Sequence, residues 1–410
     1  MINLVLIVQR FSPYDKVGAR RWSKFVNYLQ KNQNIKIHVL TQKYMFSNEN
    51  PWNVNFDNTV VNIKYLNSFS NKVRTQIPIF NRVINFVHNK IFSYTDEGYG
   101  FSKSAIRYLK KNKQRISPDI VIASSPAYST CFFASKFKKE FPQVKLINDY
   151  RDAWIDGYFS WNKTLNQENE LYKKQVEMEK FSLNHCDAIV TVTPELSLKL
   201  NEKITNDKVK SYVITNGYDK RDYNIDCLVY PKEFDKNEIN ICHFGTLDFG
   251  RDDEFLKFIS FNEISDRIKF YLIGSLSEKL RKKIEGMKNV VHINHMPSVS
   301  LKPFLYYADF HLIVNDPEFF YAYGSKVFDA MLYSKPIIYI SKENSLVKKY
   351  RNQRDFIYSD NSLDENKKIF ELVKFYKQPE SLNTDYSDFD IQILSNKYYQ
   401  IINELTSKVN

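Results

Sequence analysis

The residues of this chain best suited to handling a charged ligand lie in one stretch, Phe319 to Ile340, which reads FFYAYGSKVFDAMLYSKPIIYI. Gly324-Ser325-Lys326 precedes an apolar helical pattern (Val327, Phe328, Ala330, Met331, Leu332), and a β-branched run follows Lys335-Pro336. A small loop that opens a helix leaves backbone N–H groups without intrahelical partners, and with the helix dipole they favour phosphate. Lys326 adds a full positive charge and Ser325 a hydroxyl donor. Asp329 stands about one turn from Lys326 on the same face, placed for the hydroxyls of a ribose. The same residues also read as an ordinary helix start, with Ser325 as N-cap and Lys326 in solvent, and the local pattern alone favours that plainer reading.

Elements able to position such a group follow from the apolar pattern. Ile2 to Val8 reads as a buried parallel strand. A loop containing Gly18, Arg20 and Arg21 leads to a helix marked by Trp22, Phe25, Val26 and Leu29, and Ile35 to Leu40 makes a second strand, completing a βαβ unit. There is no G-x-G-x-x-G, so Gly18 serves close backbone approach at a strand's carboxyl end rather than a dinucleotide fingerprint. Further strands are expected at Asp119 to Ser125, Lys145 to Asn148, Ala188 to Val192 and Val213 to Thr215, with a long polar helix over about 165–184. The fourth strand runs into Asp149-Tyr150-Arg151-Asp152, charged residues where open α/β sheets place their chemistry; a plain Arg–Asp pair fixing the loop is the other reading. Residues 220–237 lack periodicity and contain Pro231, which marks a linker. A second series begins at Ile239, with Gly245-Thr246 through Gly250-Arg251 opening a helix. Strands follow at Lys269 to Ile273, ending at Gly274, at Val290 to Ile293 and at Phe310 to Val314, with a helix over Ser300 to Tyr307. The last helix covers about 391–404. Asp388-Phe389-Asp390 before it is weak evidence for a metal, because acids at that place usually cap.

Two successive strand–helix series predict an α/β chain of two doubly wound domains. Of only 10 glycines, Gly18, Gly217, Gly245, Gly250, Gly274 and Gly324 all follow predicted strands, where backbone turns sharply or approaches a ligand. The length of 410 residues suits roughly two to three domains, and 43% hydrophobic with 26% charged residues is a globular composition. Four cysteines without a C-x-x-C pair argue against metal or redox spacing. The apolar start is too short for a signal peptide, and no run is long enough to span a bilayer, so a cytoplasmic protein is expected.

Charge is uneven. Residues 1–220 carry 33 Lys+Arg against 19 Asp+Glu, whereas the remainder carries 26 against 28. Within 60–115, eleven Lys+Arg face only Asp96 and Glu97, and Ile77, Phe80, Val83, Ile84, Val87 and Ile91 fall on one helical face. A basic amphipathic element docking on anionic lipid, through Ile77, Phe80, Arg82, Val83, Ile84 and Lys90, stands beside a core helix with a solvated basic face. No helix-turn-helix, zinc or RNA-reading motif accompanies the charge, which excludes a nucleic-acid partner.

In order along the chain, LIVQRFSPYDKVGARRWSKFVNYL, IASSPAYS, NDYRDAWIDGY, CDAIVTVTPE, VITNGYD, FGTLDFGRD, YADFHLIV and GSKVFDAMLYSKPII resemble the GT-B glycosyltransferases, in particular the retaining enzymes of glycosyltransferase family four and a bacterial subgroup with an acidic D-x-R-D-x-W loop. The resemblance implies two Rossmann-like domains facing a cleft: an acceptor-binding domain over 1–219, joined by a returning C-terminal helix (388–410), and a nucleotide-sugar-binding domain over 238–387, linked by 220–237. It implies a nucleotide-diphospho-sugar substrate, of UDP or GDP type, and no cofactor or metal. Arg251, Lys326, Ser325 and the backbone at Gly324, Gly245 and Thr246 would hold the diphosphate, Asp329 the ribose, and Gly274 with the His295-Met296 loop the base. Gly18 and Arg20 would approach from the N-terminal domain, and Arg151 and Asp152 would face the transferring sugar or the acceptor hydroxyl. The acceptor would be a glycan or lipid-linked glycan of bacterial surface polysaccharide (capsule, O-antigen or exopolysaccharide), met by a peripheral protein on the cytoplasmic face of the inner membrane.

Two positions depart from the family. The usual pair of glutamates seven residues apart is Tyr321 and Asp329, and Thr246 stands where an arginine is common, leaving Arg251 as the loop cation. A UDP-sugar 2-epimerase of the same fold and a glycan-binding protein that has lost catalysis are the competing readings.

Overall fold

The computed structural model of the protein describes residues 1–14, 17–44, 51–68, 96–157, 170–260, 265–319, 321–375 and 384–407. The chain forms two compact units, 1–215 with 391–410, and 216–390.

The first unit contains β1 (Ile2–Val8), α1 (Arg20–Leu29), β2 (Ile35–Gln42), β3 (Val61–Leu66), α2 (Tyr99–Ile116), β4 (Ile120–Ser125), α3 (Ser129–Glu140), β5 (Lys145–Tyr150), α4 (Glu170–Asn184), β6 (Ala188–Thr191), α5 (Pro194–Asn201) and β7 (Lys210–Val213). Its parallel sheet has the order β3-β2-β1-β4-β5-β6-β7. Central strands are apolar because helices cover both faces: β4 is buried along its whole length. Alternate residues of β1 and β2 (Leu4, Leu6, Ile35, Ile37) meet Trp22, Phe25 and Leu29 of α1. The C-terminal helix (Ile391–Thr406) completes this layer with Leu394, Tyr398 and Ile402, the Tyr398 ring lying edge-on to Trp22 at 5.1 Å.

Two elements here were hidden in the basic region. β3 alternates buried Val61 with exposed Asn62 and Lys64, and it gave no clear apolar run. In α2, Phe101, Ala105, Ile106, Leu109 and Ile116 are buried while Lys103, Arg107, Lys110, Lys111 and Arg115 are exposed, so this part of the region is a core helix with a solvated basic face. Ile77, Phe80, Arg82, Val83, Ile84 and Lys90 lie outside the described residues. The strand expected at 213–215 sits earlier, at β7, because its exposed Lys210 and Ser211 on a sheet edge break the apolar signal.

The second unit contains β8 (Ile239–Phe244), α6 (Arg251–Ile259), β9 (Ile268–Ile273), α7 (Glu278–Ile284), β10 (Val290–Ile293), α8 (Ser298–Tyr307), β11 (Phe310–Val314), α9 (Ser325–Leu332), β12 (Ile337–Ile340), α10 (Ser345–Tyr350), β13 (Phe356–Ser359) and α11 (Leu363–Lys374). Its sheet, also parallel, runs β10-β9-β8-β11-β12-β13. The order reverses between β8 and β11, and loops leaving neighbouring strands there diverge to opposite faces and open a crevice. The 220–237 segment, read from sequence as a linker, packs on this unit: Phe234 is buried against Tyr271 (4.5 Å) and Phe304 (5.3 Å), and Tyr230 meets Tyr307 (5.1 Å).

Candidate functional site

At the reversal between β8 and β11, the loop after β8 and the helix that follows β11 come together. Lys326 crosses from the first turn of α9 to the β8 loop, where its Nζ donates to the Thr246 carbonyl at 3.4 Å. Gly245 makes this approach possible. A Cβ there would lie 1.9 Å from Lys326 Cε, and its φ of +103° disfavours any other residue. Gly274, after β9, abuts the same backbone: a Cβ on it would come within 2.2 Å of the Gly245 carbonyl oxygen. Gly324 is the residue before α9, with no side-chain cap on the helix, and Ser325 is the first helical residue. Ser325 is therefore not the N-cap, and Lys326 is partly buried rather than in solvent. Of the sequence-predicted donor residues, Gly245, Thr246, Gly274 and Lys326 are thus joined by direct contacts, with Gly324 and Ser325 adjoining Lys326 in the chain.

Arg251 begins α6, with its Nε donating to the Asp248 carbonyl at 3.2 Å. Desolvation pulls the guanidinium pKa below its ordinary value, against the opposing charges of Asp248, Asp316 and Asp252. Lys326 is lowered to about 7, first by desolvation and then by the Arg251 charge, with Asp329 opposing. None of the ion pairs among the described residues includes Lys326 or Arg251. Two half-desolvated cations that repel each other over a glycine loop form a site that an anion would stabilise.

Two contributors had weaker signals in the sequence. His243, inside β8, is buried; burial and then the Lys326 charge push its pKa far below the usual range, so it is neutral. Its Nδ1 donates to the Leu312 carbonyl at 2.9 Å, which leaves Nε2 as an acceptor with no hydrogen-bond partner among the described residues. Asp316 follows β11, and its Oδ2 would lie 2.4 Å from a Cβ on Gly250. A charged residue at a strand's carboxyl end was the available signal for Asp316; nothing local marked His243.

Met296 is half-buried against the core that includes Val327 and Phe328 of α9, and among the described residues no hydrogen bond or ion pair ties it to Lys326. Tyr321 is buried, and Asp329 is half-buried on α9. The Asp-x-Asp before the C-terminal helix is engaged in ion pairs, Asp388 with Lys349 and Asp390 with Lys220 (3.2 Å). Among the described residues, no three His, Cys, Asp or Glu side chains are grouped to hold a metal.

In the first unit, Arg151 ties together the carboxyl ends of β4 and β1: its Nε donates to the Ser125 carbonyl (2.7 Å) and its Nη1 to that of Gly18 (2.8 Å). Gly18 and Arg151 therefore meet where this sheet's order reverses, between β1 and β4. Asp152 is exposed beside them, and Arg20 is the half-buried first residue of α1. The neighbouring Arg21 is the buried one. It pairs with Asp149 (3.3 Å), which also accepts from Trp22 Nε1 (3.0 Å) and Ser124 Oγ (2.8 Å), and it donates to the Ile214 and Thr215 carbonyls. Thus Asp149 and Arg21 fix the framework, and Arg151 fixes the loops.

Two Rossmann-like parallel sheets in separate units, with glycine loops at their reversal points, define the GT-B fold. Structures of that fold align with the chain over nearly its whole length. They include sucrose-phosphate synthase from Thermosynechococcus elongatus (12% identity, 98% of each chain, TM-score 0.67) and HepE of Anabaena in complex with UDP and glucose (10% identity, 98% of this chain and 99% of that one, TM-score 0.62). The lipopolysaccharide outer core galactosyltransferase WaaB aligns at 12% identity over 98% of this chain and 99% of its own, with a TM-score of 0.58. No protein-family description and no curated sequence matches the chain.

Proposed function

We propose that the protein is a retaining glycosyltransferase that moves a sugar from a nucleotide-diphospho-sugar, of UDP or GDP type, to a glycan or lipid-linked glycan acceptor of bacterial surface polysaccharide. The observation that carries this reading is the pair Lys326 and Arg251, half-desolvated and outside the ion pairs of the described residues, over the Gly245 loop at the sheet reversal. The GT-B fold supports it, as does the galactosyltransferase activity in the name of one structural neighbour. Departure of the leaving group builds negative charge on a diphosphate. Lys326, Arg251 and the first N–H groups of α9 would stabilise that charge, so the reaction needs no metal of its own. Asp329 would hold the ribose and Gly274 the edge of the base. Retention would follow from front-face attack assisted by the leaving phosphate, without a protein nucleophile. Arg151 would hold the acceptor-side loops, and Asp152 would position or deprotonate the acceptor hydroxyl. No described helix is long and apolar enough to cross a membrane. A peripheral contact through the basic first half would bring the enzyme to a lipid-linked acceptor, read by salt-sensitive flotation with anionic vesicles.

Thermal unfolding with UDP, GDP, ADP, TDP and CMP, with and without EDTA, tests the reading. A ligand that binds only the native state raises stability by mass action. A shift for one diphosphate that survives EDTA is expected, and no shift with any of them would overturn the donor site. Tyr321, buried where a family acid contacts the donor sugar, favours a second reading as a glycan-binding protein without turnover; transfer to an added acceptor separates the two.

A further inference from the structure

Opposite the carboxyl edge of the first sheet, the amino-terminal parts of β2 and β3 form a second basic feature. Period-two alternation sends Ile35, Ile37 and Val39 into the core and turns Lys36, His38 and Leu40 to the α2 side. On β3 the matching residues are Asn62, opposite His38, and Lys64, opposite Leu40. Helix α2 closes the space with Tyr108 from its middle and Arg115 and Ile116 from its last turn, leaving a cavity of about 220 Å³. Every charged residue lining it is basic.

Tyr108 holds two of the cations in place. Arg115 Nη2 donates to the Tyr108 hydroxyl at 3.1 Å, and the Lys64 ammonium sits 5.8 Å from the centre of the Tyr108 ring. None of the ion pairs among the described residues takes in Lys36, Lys64 or Arg115. His38 is half-buried at the cavity wall, with Leu40 behind it. Three like charges around one recess repel each other, and solvent exposure on the strands only screens that repulsion. A guanidinium fork with two ammonium groups matches the oxygens of a phosphate, which accept several charge-assisted hydrogen bonds at once. The volume is below the ~300–1,000 Å³ of pockets that enclose drug-sized ligands, and it suits a small phosphorylated group.

We propose that Lys36, His38, Lys64 and Arg115 form a second anion site, distinct from the Lys326 loop, that binds a phosphate or diphosphate group. The group comes either from a soluble phosphorylated compound or from a phospholipid headgroup. The wall of the site carries its own reporter. Desolvation, then Lys36 and Arg115, hold the His38 pKa below its ordinary value, and an anion among these cations raises it.

The test follows the ring proton resonance of His38, assigned with His38→Gln, during titration of the full chain with potassium pyrophosphate in EDTA. A saturable shift is expected in the parent protein and in Lys326→Ala. In Lys64→Ala/Arg115→Ala, whose substitutions lie on exposed positions, the affinity should fall at least tenfold while the thermal midpoint stays unchanged. Co-sedimentation with phosphatidate-containing phosphatidylcholine vesicles, lost in the double variant and competed by pyrophosphate, assigns the source to a headgroup. Pyrophosphate binding without such sedimentation assigns it to a soluble compound. The proposal is overturned if His38 shows no saturable response and sedimentation ignores the double substitution, or if pyrophosphate binds the double variant as tightly as the parent.

Discussion

Lys326 makes the donor site pH-dependent in a direction that can be worked out. Desolvation and Arg251 bring its pKa to about 7, so about half of the unliganded protein carries the ammonium at neutral pH. A diphosphate at the Gly245 loop interacts with the charged form and raises that pKa, so binding takes up a proton. The sign is therefore fixed: affinity is full well below pH 7 and falls as pH rises through about 7, until the pKa of the complex is reached. With a pKa of about 7, the protonated fraction drops from roughly 0.76 at pH 6.5 to roughly 0.03 at pH 8.5, a loss of about 25-fold or ~2 kcal/mol. Titration calorimetry with UDP or GDP in two buffers of different ionisation enthalpy reads the proton directly, with about 0.5 expected per ligand at pH 7. The terminal phosphate of the nucleotide titrates near pH ~6 on its own account, so Lys326→Met supplies the ligand's own slope. That variant should bind more weakly and lose the extra proton. A parent protein with the same proton uptake and pH slope as Lys326→Met would refute the reasoning.

Lys326→Ala and Arg251→Ala should each reduce sugar transfer by at least about a hundredfold while the fold survives, read as turnover beside circular dichroism. Near-normal turnover in both would remove the site. Gly245→Ala places a methyl 1.9 Å from Lys326 Cε at a φ of +103°, so diphosphate affinity should fall about tenfold or more and the unfolding midpoint should drop as well, because alanine is strained at that backbone angle. Asp149→Ala leaves the buried Arg21 guanidinium, 5% exposed, without its carboxylate, and should cost about 3–5 kcal/mol in urea unfolding. A loss under 1 kcal/mol would show that carbonyls alone satisfy Arg21.

Much of the fold was legible locally because a buried parallel strand is a short apolar run whatever its neighbours. The strands Ile2–Val8 and Phe310–Val314 fall where that pattern puts them. The pattern failed where burial is one-sided: β3 and β7 alternate or expose polar residues on sheet edges, and α2 spreads its apolar positions among many lysines. The glycines after strands marked the candidate loops, since Gly245 and Gly274 take backbone angles that other residues avoid.

What the chain determined by itself was chemistry in outline: Lys326 behind a glycine at a helix start, Arg251 at another, and Arg151 in a charged strand end. Tertiary structure decided which of these meet. Parallel order β9-β8-β11-β12 brings residue 326 against residue 245, a proximity no local spacing encodes. It also decided the protonation of Lys326, because desolvation depends on everything packed around an ammonium group. The family resemblance put Arg20 at the donor and gave no role to the adjacent Arg21. Helix α1 turns Arg21 inward onto Asp149 and the Ile214 and Thr215 carbonyls, so that charge is committed to the framework.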